Sequence, residues 1–330
     1  MECVSAIALD IRISLLRQHG GFSQAYSAAL QPGLTHFGDE RGFLAYKMVG
    51  RTAMVLSDPL APEQFRDRLI RRFLDEQHDV CFCQISYRVA DLLSSLGFFI
   101  NEIGHDNRLD LAQYDFSGRA KKNLRNAGNR MAKLGYLIRE YSIAEVDIDA
   151  VRSVSDAWKR RHTVRNREVS FMSRPIVFSE ERDVRWLFAF DPRSRLVAFG
   201  VFDPVYERGE VVGYTAQAGR HLPDADTLVQ QAIKRHAIET FQAEGRKRLF
   251  LGLSPLADIW DRGYPHNWLV HRAFVFAYKN AVFNRFVYPV KFISEHKAQF
   301  GGVASAAYLA FNKLPSWTRV LKVGRACDVF

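Results

Sequence analysis

"GEVVGYTAQAGRHLPDADTLVQQAIKRHAIETFQAEGRKRLFLGLSPL", residues Gly209–Leu256, is the stretch from which the fold can be read. Its first part, "GEVVGYTAQAG", has the apolar content and length of a strand. "ADTLVQQAIKRHAIETFQAEG" then repeats apolar residues at helical spacing, with Asp226 or Thr227 at its start and Gly245 just past its end. "KRLFLGL" is again a short apolar run of strand length. Strand, long helix, strand is a building unit of an α/β sheet, which predicts that class. The last strand breaks on Gly252, Ser254 and Pro255. A serine there can be a nucleophile, a hydrogen-bond donor to a substrate, or part of a turn. Gly-Leu-Ser-Pro-Leu is not the Gly-x-Ser-x-Gly elbow, and no His/Asp partner is spaced for a triad.

Working upstream, "RWLFAFDPRSRLVAFGVFDPV" reads as two strands around a turn at Asp191–Ser194, and "IDAVRSVSDAWKRRH" as a helix. The first half shows the same order. "GFLAYKMVG" and "RTAMVLSDP" form a hairpin near Gly50, and "APEQFRDRLIRRFLDEQ" is a helix with Pro62 in its first turn. "DVCFCQIS", "VADLLSSLG" and "FFINEIG" follow as strand, helix and strand. Two related α/β units are therefore expected, 1–116 and 141–330. Between them, over 117–140, lies a basic helix capped by Ser117 and closed at Gly135. Its Arg119, Lys121, Lys122, Arg125, Arg130 and Lys133 are six cations in 15 positions with no acid among them. A solvated charge face usually mixes both signs, so this helix is expected to meet an anion.

The 330 residues are 48% hydrophobic and 25% charged, enough for one large domain or two ordinary ones. No apolar run approaches the ~18–20 residues of a membrane span, and the N-terminus lacks a secretory pattern. A cytoplasmic protein is expected, peripheral at the inner membrane surface. The net charge of +10 favours anionic partners. Cys3, Cys81, Cys83 and Cys327 have no ligand spacing; Cys81 and Cys83 fall on one face of a strand as buried apolar side chains. No metal and no cofactor are expected.

The strand-helix-strand order resembles the GNAT acyltransferase fold, in which an acyl carrier's phosphates meet a helix N-terminus. The corresponding loop here, "YTAQAGRHLPDADT", has Gly219 as its only glycine, a poor match to an acetyl-CoA loop. Four stretches in one order are similar to the catalytic domain of the phosphatidylglycerol lysyltransferases, the multiple peptide resistance factor family. They are "FLAYKMVGRTAMVLSDPLAP", "LDLAQYDFSGRAKKNLRNAGNRMAKLGY", "FLGLSPLADI" and "FNRFVYPVKFISEHKAQFGGVASAAYLAF". In the last, Lys297, Phe300 and Tyr308 keep the family's spacing. The similarity spans roughly residues 40–315. The chain departs from the family's pattern at Gln217-Ala218-Gly219, Ser294, Gln299 and Ala304. The family's membrane flippase has no counterpart in this reading.

The resemblance implies two tandem GNAT-like units, each a mixed sheet flanked by helices. It also implies transfer of an aminoacyl group from aminoacyl-tRNA to a phospholipid headgroup or another small hydroxyl or amine acceptor. Such a donor ester is already activated, so the enzyme has to align two substrates and stabilise an oxyanion. Arg220 is then a phosphate or ribose contact, or a turn arginine. Asp226 binds the donor's α-amino group, serves acid–base chemistry, or only caps a helix. Ser254 is a third candidate at the catalytic centre, and His221 is the nearest group titrating around neutrality. Gly252, Lys297, Arg285, Tyr308, Trp158 and Phe171 are candidate substrate contacts. Lys121, Lys122, Arg125 and Arg130, with Arg160, Arg161 and Arg165 of "WKRRHTVRNREVSF", are candidate tRNA or anion contacts. Two rival readings stay open. One is an N-acyltransferase using acyl-CoA or an acyl-carrier protein. The other is a non-catalytic RNA- or membrane-binding relative.

Overall fold

The structure is a computed structural model, and it describes residues 7–161, 167–260, 262–314 and 317–329. The first half runs α1 (Leu9–His19), α2 (Ala25–Leu30), β1 (Thr35–Asp39), β2 (Gly42–Val49), β3 (Thr52–Leu60), α3 (Glu63–Glu76), β4 (Val80–Ile85), α4 (Tyr87–Ser95) and β5 (Phe99–Asp110). Next come α5 (Lys122–Lys133), β6 (Leu137–Glu140), α6 (Ile148–Arg161), β7 (Arg185–Phe190), β8 (Leu196–Glu207), β9 (Glu210–His221), α7 (Val229–Ala243) and β10 (Arg248–Pro255). The chain closes with α8 (Trp268–Lys279), α9 (Ala281–Phe286), α10 (Val290–Ala298), β11 (Val303–Phe311) and α11 (Trp317–Ala326).

The eleven strands of the described residues join one mixed sheet, in the order β1-β2-β3-β4-β11-β5-β10-β9-β8-β7-β6. Two α/β units, one from each half of the chain, lie side by side in it, and they exchange strands at the seam. β11, from the end of the chain, pairs with β4, while β5, from the first half, pairs with β10. β5 and β11 also pair with each other, antiparallel. The two units correspond in pattern: β3–β4 and β9–β10 are both parallel pairs bridged by a helix, α3 and α7.

The sequence pattern explains the layering. β8 is buried along almost its whole length, as expected of an interior strand covered on both faces. α7 buries Val229, Ala232, Ile233, Ala237, Ile238 and Phe241 against the sheet. α3 does the same with Leu69, Ile70 and Phe73. Cys81 and Cys83 are buried on one face of β4 and Phe82 packs in a different cluster, as strand alternation requires.

Two local expectations change. Ser117 does not cap the basic helix, which begins at Lys122; Ser117 instead donates to Asp115 in a preceding turn. β1 was not anticipated from the sequence. It is a short edge strand containing Gly38, and five residues carry little periodicity.

The splay that makes room for a site lies on the stretch from Arg248. β10 pairs with β9 only at Arg248, Leu249 and Phe250. A bulge follows between Phe250 and Leu253, with Gly252 at φ +74°. Beyond it β10 leaves β9 and follows β5, while β9 continues beside β8 to His221.

Candidate functional site

A cavity of about 710 Å³ fills the gap where β9 and β10 part. Its floor is Ala216–His221 of β9 and Leu251 of β10; Thr227 and Leu228 of the preceding turn and α7 as far as Lys234 form one wall. α10 closes the opposite side with Phe292, His296 and Lys297. Gly219 lets α7 approach the floor, because a Cβ there would collide with the Gln230 Oε1. Gln230 uses that approach to donate to the Arg220 and Phe199 carbonyls, at 2.9 and 3.2 Å.

The titratable groups that line the cavity include Lys234, His296, Lys297 and His221, together with Glu168, Glu295, Tyr288, Arg167, Arg174 and Arg220. Lys234 Nζ lies 2.9 Å from His296 Nε2. Lys234 keeps some accessible surface, but its ammonium sits among protein atoms. Burial, with Lys297 nearby, lowers its pKa to about 7. The cation at Lys234 in turn holds His296 neutral, with burial and Lys297 adding to the effect. Lys297 donates to the Leu253 carbonyl at 2.6 Å and is lowered by burial to about 8, with Asp106 working in the opposite direction. His221 is lowered by burial and by the cations Lys234 and Arg161. Four further atoms on residues of the lining, Gln217 Oε1, Gln231 Oε1, Gln299 Oε1 and His221 Nδ1, are buried without a hydrogen-bond partner. Such atoms are costly unless a bound group satisfies them. Among the described residues no group of His, Cys, Asp and Glu could hold a metal ion.

The candidates read from sequence are divided by this geometry. Trp158, Arg220, His221 and Lys297 line the cavity, and Gly252 touches it through Lys297, whose Nζ a Cβ at 252 would meet at 3.4 Å. Arg220 is buried, donates to Ser155 and Glu168, and lies 4.9 Å from the Trp158 ring centroid. It is already neutralised, so it shapes the wall through Glu168 and Trp158. Asp226 stands outside the lining: it accepts from Leu228 N at 2.9 Å and from Arg130 Nε at 2.7 Å, tying α5 to the turn before α7. Ser254 is fully buried and accepts from Asn107 at 3.0 Å. Tyr308 is buried on β11 against Tyr264, and Phe171 is buried in a core cluster. Arg285 is on the surface, stacked on Phe286.

The basic residues divide too. Lys121 and Arg125 donate to carbonyls of the segment before α5, at Asp115 and at Phe116 and Gly118, and Arg130 to Asp226. Lys122, Arg160 and Arg161 are exposed, while Arg165 lies outside the described residues. Lys234 and His296 were missed by reasoning from sequence. Lys234 carried a signal, since on a helical projection it falls inside the apolar arc of α7, between Phe241 and Ile238. His296 carried none.

A family profile described as phosphatidylglycerol lysyltransferase, C-terminal, matches residues 13–311. The chain belongs to that family. Among curated phosphatidylglycerol lysyltransferases, that of Bacillus subtilis (strain 168) is 21% identical over 315 residues, 91% of this chain and 34% of the relative. That of Staphylococcus haemolyticus is 22% identical over 297 residues, 87% of this chain and 34% of the relative. The chain thus spans about a third of the length of the curated relatives it matches. The solved structure of L-PGS from Bacillus licheniformis superposes with a TM-score of 0.77 at 20% identity, covering 97% of this chain and 96% of that one. At that identity the superposition speaks for the lysyltransferase C-terminal fold. Among the described residues no helix is long and apolar enough to cross a membrane.

Proposed function

We propose that this chain transfers an aminoacyl group from aminoacyl-tRNA to the headgroup hydroxyl of phosphatidylglycerol. Membership of the lysyltransferase family supports the reaction class. The observation that carries the reading is the Lys234–His296–Lys297 group inside the splay cavity. The acceptor hydroxyl attacks the ester carbonyl of the donor, a tetrahedral oxyanion forms, and the bond to the tRNA ribose oxygen breaks, that oxygen leaving as a hydroxyl with the proton the base had taken. The hydroxyl needs a base, and a lysine with a pKa near 7 is largely able to take its proton around neutrality. His296 stays neutral and orients Lys234 by accepting from its ammonium form. Lys297 keeps more of its charge and suits the lipid phosphodiester. Arg220 positions Trp158 and Glu168, and Asp226 fixes the turn into α7. Lys122, Arg160 and Arg161, exposed on α5 and α6, are the cations for tRNA phosphates, so binding weakens steeply with salt.

The test incubates the chain with labelled aminoacyl-tRNA and vesicles containing phosphatidylglycerol, with and without RNase. Labelled lipid that disappears with RNase is expected. Label that survives RNase, or that arrives from acyl-CoA with no tRNA present, would replace the donor. Absence of labelled lipid with every charged tRNA would remove the reaction.

A further inference from the structure

We propose that the outer face of α8 and α9, continued by Phe292 of α10, docks on an anionic phospholipid bilayer and sets the cavity mouth against it. The lipid-acceptor reading above explains why the cavity would face lipid; the surface itself is argued from its own composition.

A helix on a protein surface normally turns its polar side to water. α8 buries apolar residues on one side but also turns large apolar side chains, set among cations, to the other. Its exposed residues are Trp268, Leu269, Arg272, Phe276 and Lys279, while Val270 and Ala277 are buried. At 3.6 residues per turn those five exposed residues fall within an arc of about 100°. α9 adds exposed Val282 and Phe286, and Val287 follows it. Trp268 is 57% exposed, Phe276 65%, Phe286 64% and Phe292 70%, far above what isolated surface apolar residues need. The three helices pack against one another, so the side chains share one region. Phe292 belongs to both features: it is largely exposed, lines the cavity, and stacks on His296 with ring centroids 6.4 Å apart.

Charge selects the occupant. From Trp268 to Ala298 the cations are Arg272, Lys279, Arg285, Lys291 and Lys297, against one acid, Glu295. Arg272 lies 5.6 Å from the Trp268 ring centroid and Arg285 5.2 Å from that of Phe286, which places guanidinium groups at the level of the exposed aromatics. Aromatic and aliphatic side chains inserted among acyl chains, with cations reaching phosphates beside them, describe an interfacial surface. A second copy of the chain in a two-fold contact would bring these cations together. RNA would stack on the aromatics but has no use for exposed Leu269, Val282 and Val287.

The 330-residue chain is sedimented with vesicles of phosphatidylglycerol and phosphatidylcholine, and with phosphatidylcholine alone. Binding to the anionic vesicles is expected, falling as salt is raised. Phe276→Ser/Phe286→Ser should weaken it by about a hundredfold, the scale of two apolar side chains kept in water. Emission should shift to shorter wavelength on binding in the wild type and shift less in Trp268→Phe. The double variant should keep the transfer rate on short-chain, monomeric phosphatidylglycerol and lose it on vesicles. Equal vesicle binding by wild type and double variant would overturn the proposal. So would a dimer that the double variant dissociates with vesicle affinity unchanged, or tRNA rather than vesicles shielding Trp268. Vesicle binding without any lipid labelling would sink the transfer reading and leave the docking surface standing.

Discussion

Lys234 occupies a position where an apolar side chain would normally pack, between Phe241 and Ile238 on α7. A buried ammonium costs stability, and the fold lowers the cost by letting the proton leave near pH 7. The ordinary value is 10.5, so between about 7 and 10.5 the unfolded chain holds a proton that the folded chain has released. Stability should therefore rise with pH across that window and fall back as pH drops toward 7. Lys234→Met should make that part of the profile shallower, with Lys297 still contributing between about 8 and 10.5, and raise the melting temperature near neutrality, measured by thermal scans at a series of pH values. The same variant should lose transfer by about a hundredfold or more while folding intact, since a positioned base is worth that much. Arg220→Ala acts differently. It leaves Glu168 only Lys159, 4.0 Å away, and Trp158 without its stacked cation, and losing a charged hydrogen bond in a part-buried pair costs about 1–3 kcal/mol. Its melting temperature should drop clearly. Asp226→Asn keeps an acceptor for Leu228 N and loses a half-exposed pair with Arg130, worth at most about 1 kcal/mol. Its turnover should stay near that of the wild type; a tenfold loss would put Asp226 in the chemistry.

At the scale of elements, the cavity exists because β10 stops pairing with β9 after Phe250. Gly252 makes this possible with φ +74°, a conformation that strains a residue with a Cβ. Gly252→Ala should destabilise by about 1–2 kcal/mol from backbone strain. It would also set a methyl group in van der Waals contact with Lys297 Nζ, at 3.4 Å, where a lipid oxygen would otherwise approach. The expected signature is a raised KM for the lipid in addition to a lower denaturation midpoint. A stability loss with unchanged KM would separate Lys297 from lipid binding. The motif Gly-Leu-Ser-Pro was legible as a strand end. That Ser254 faces Asn107 and not the cavity was not legible, because that partner lies 147 residues away in sequence and only the pairing of β10 with β5 brings it close.

For the whole molecule, the exchange of β5 and β11 makes the two units one cooperative object. Removing residues 303–330 would strip β11 and leave β4 and β5 with open edges in the middle of the sheet. Such a truncation should aggregate or fail to express in soluble form. The intact chain should unfold in urea in one transition, coincident by fluorescence and circular dichroism. Two separated transitions would show that the units fold independently.

The sequence alone determined the α/β class, the two matching units, the basic stretch between them and the family, because these depend on periodicity, turn residues and motif order along the chain. It also marked Arg220, His221, Lys297, Trp158 and Gly252, all of which meet at the cavity. Tertiary structure decided the rest. Which strands pair across the seam depends on partners about 200 residues apart, as with Tyr308 and Glu102, and no local pattern encodes that choice. Whether a cation is free or spent depends on its neighbours: Arg130 on Asp226, Arg125 on two carbonyls, Arg220 on Glu168. The pairing of Lys234 with His296 joins residues 62 apart, and their proton affinities come from that encounter and from burial, which only the folded chain supplies.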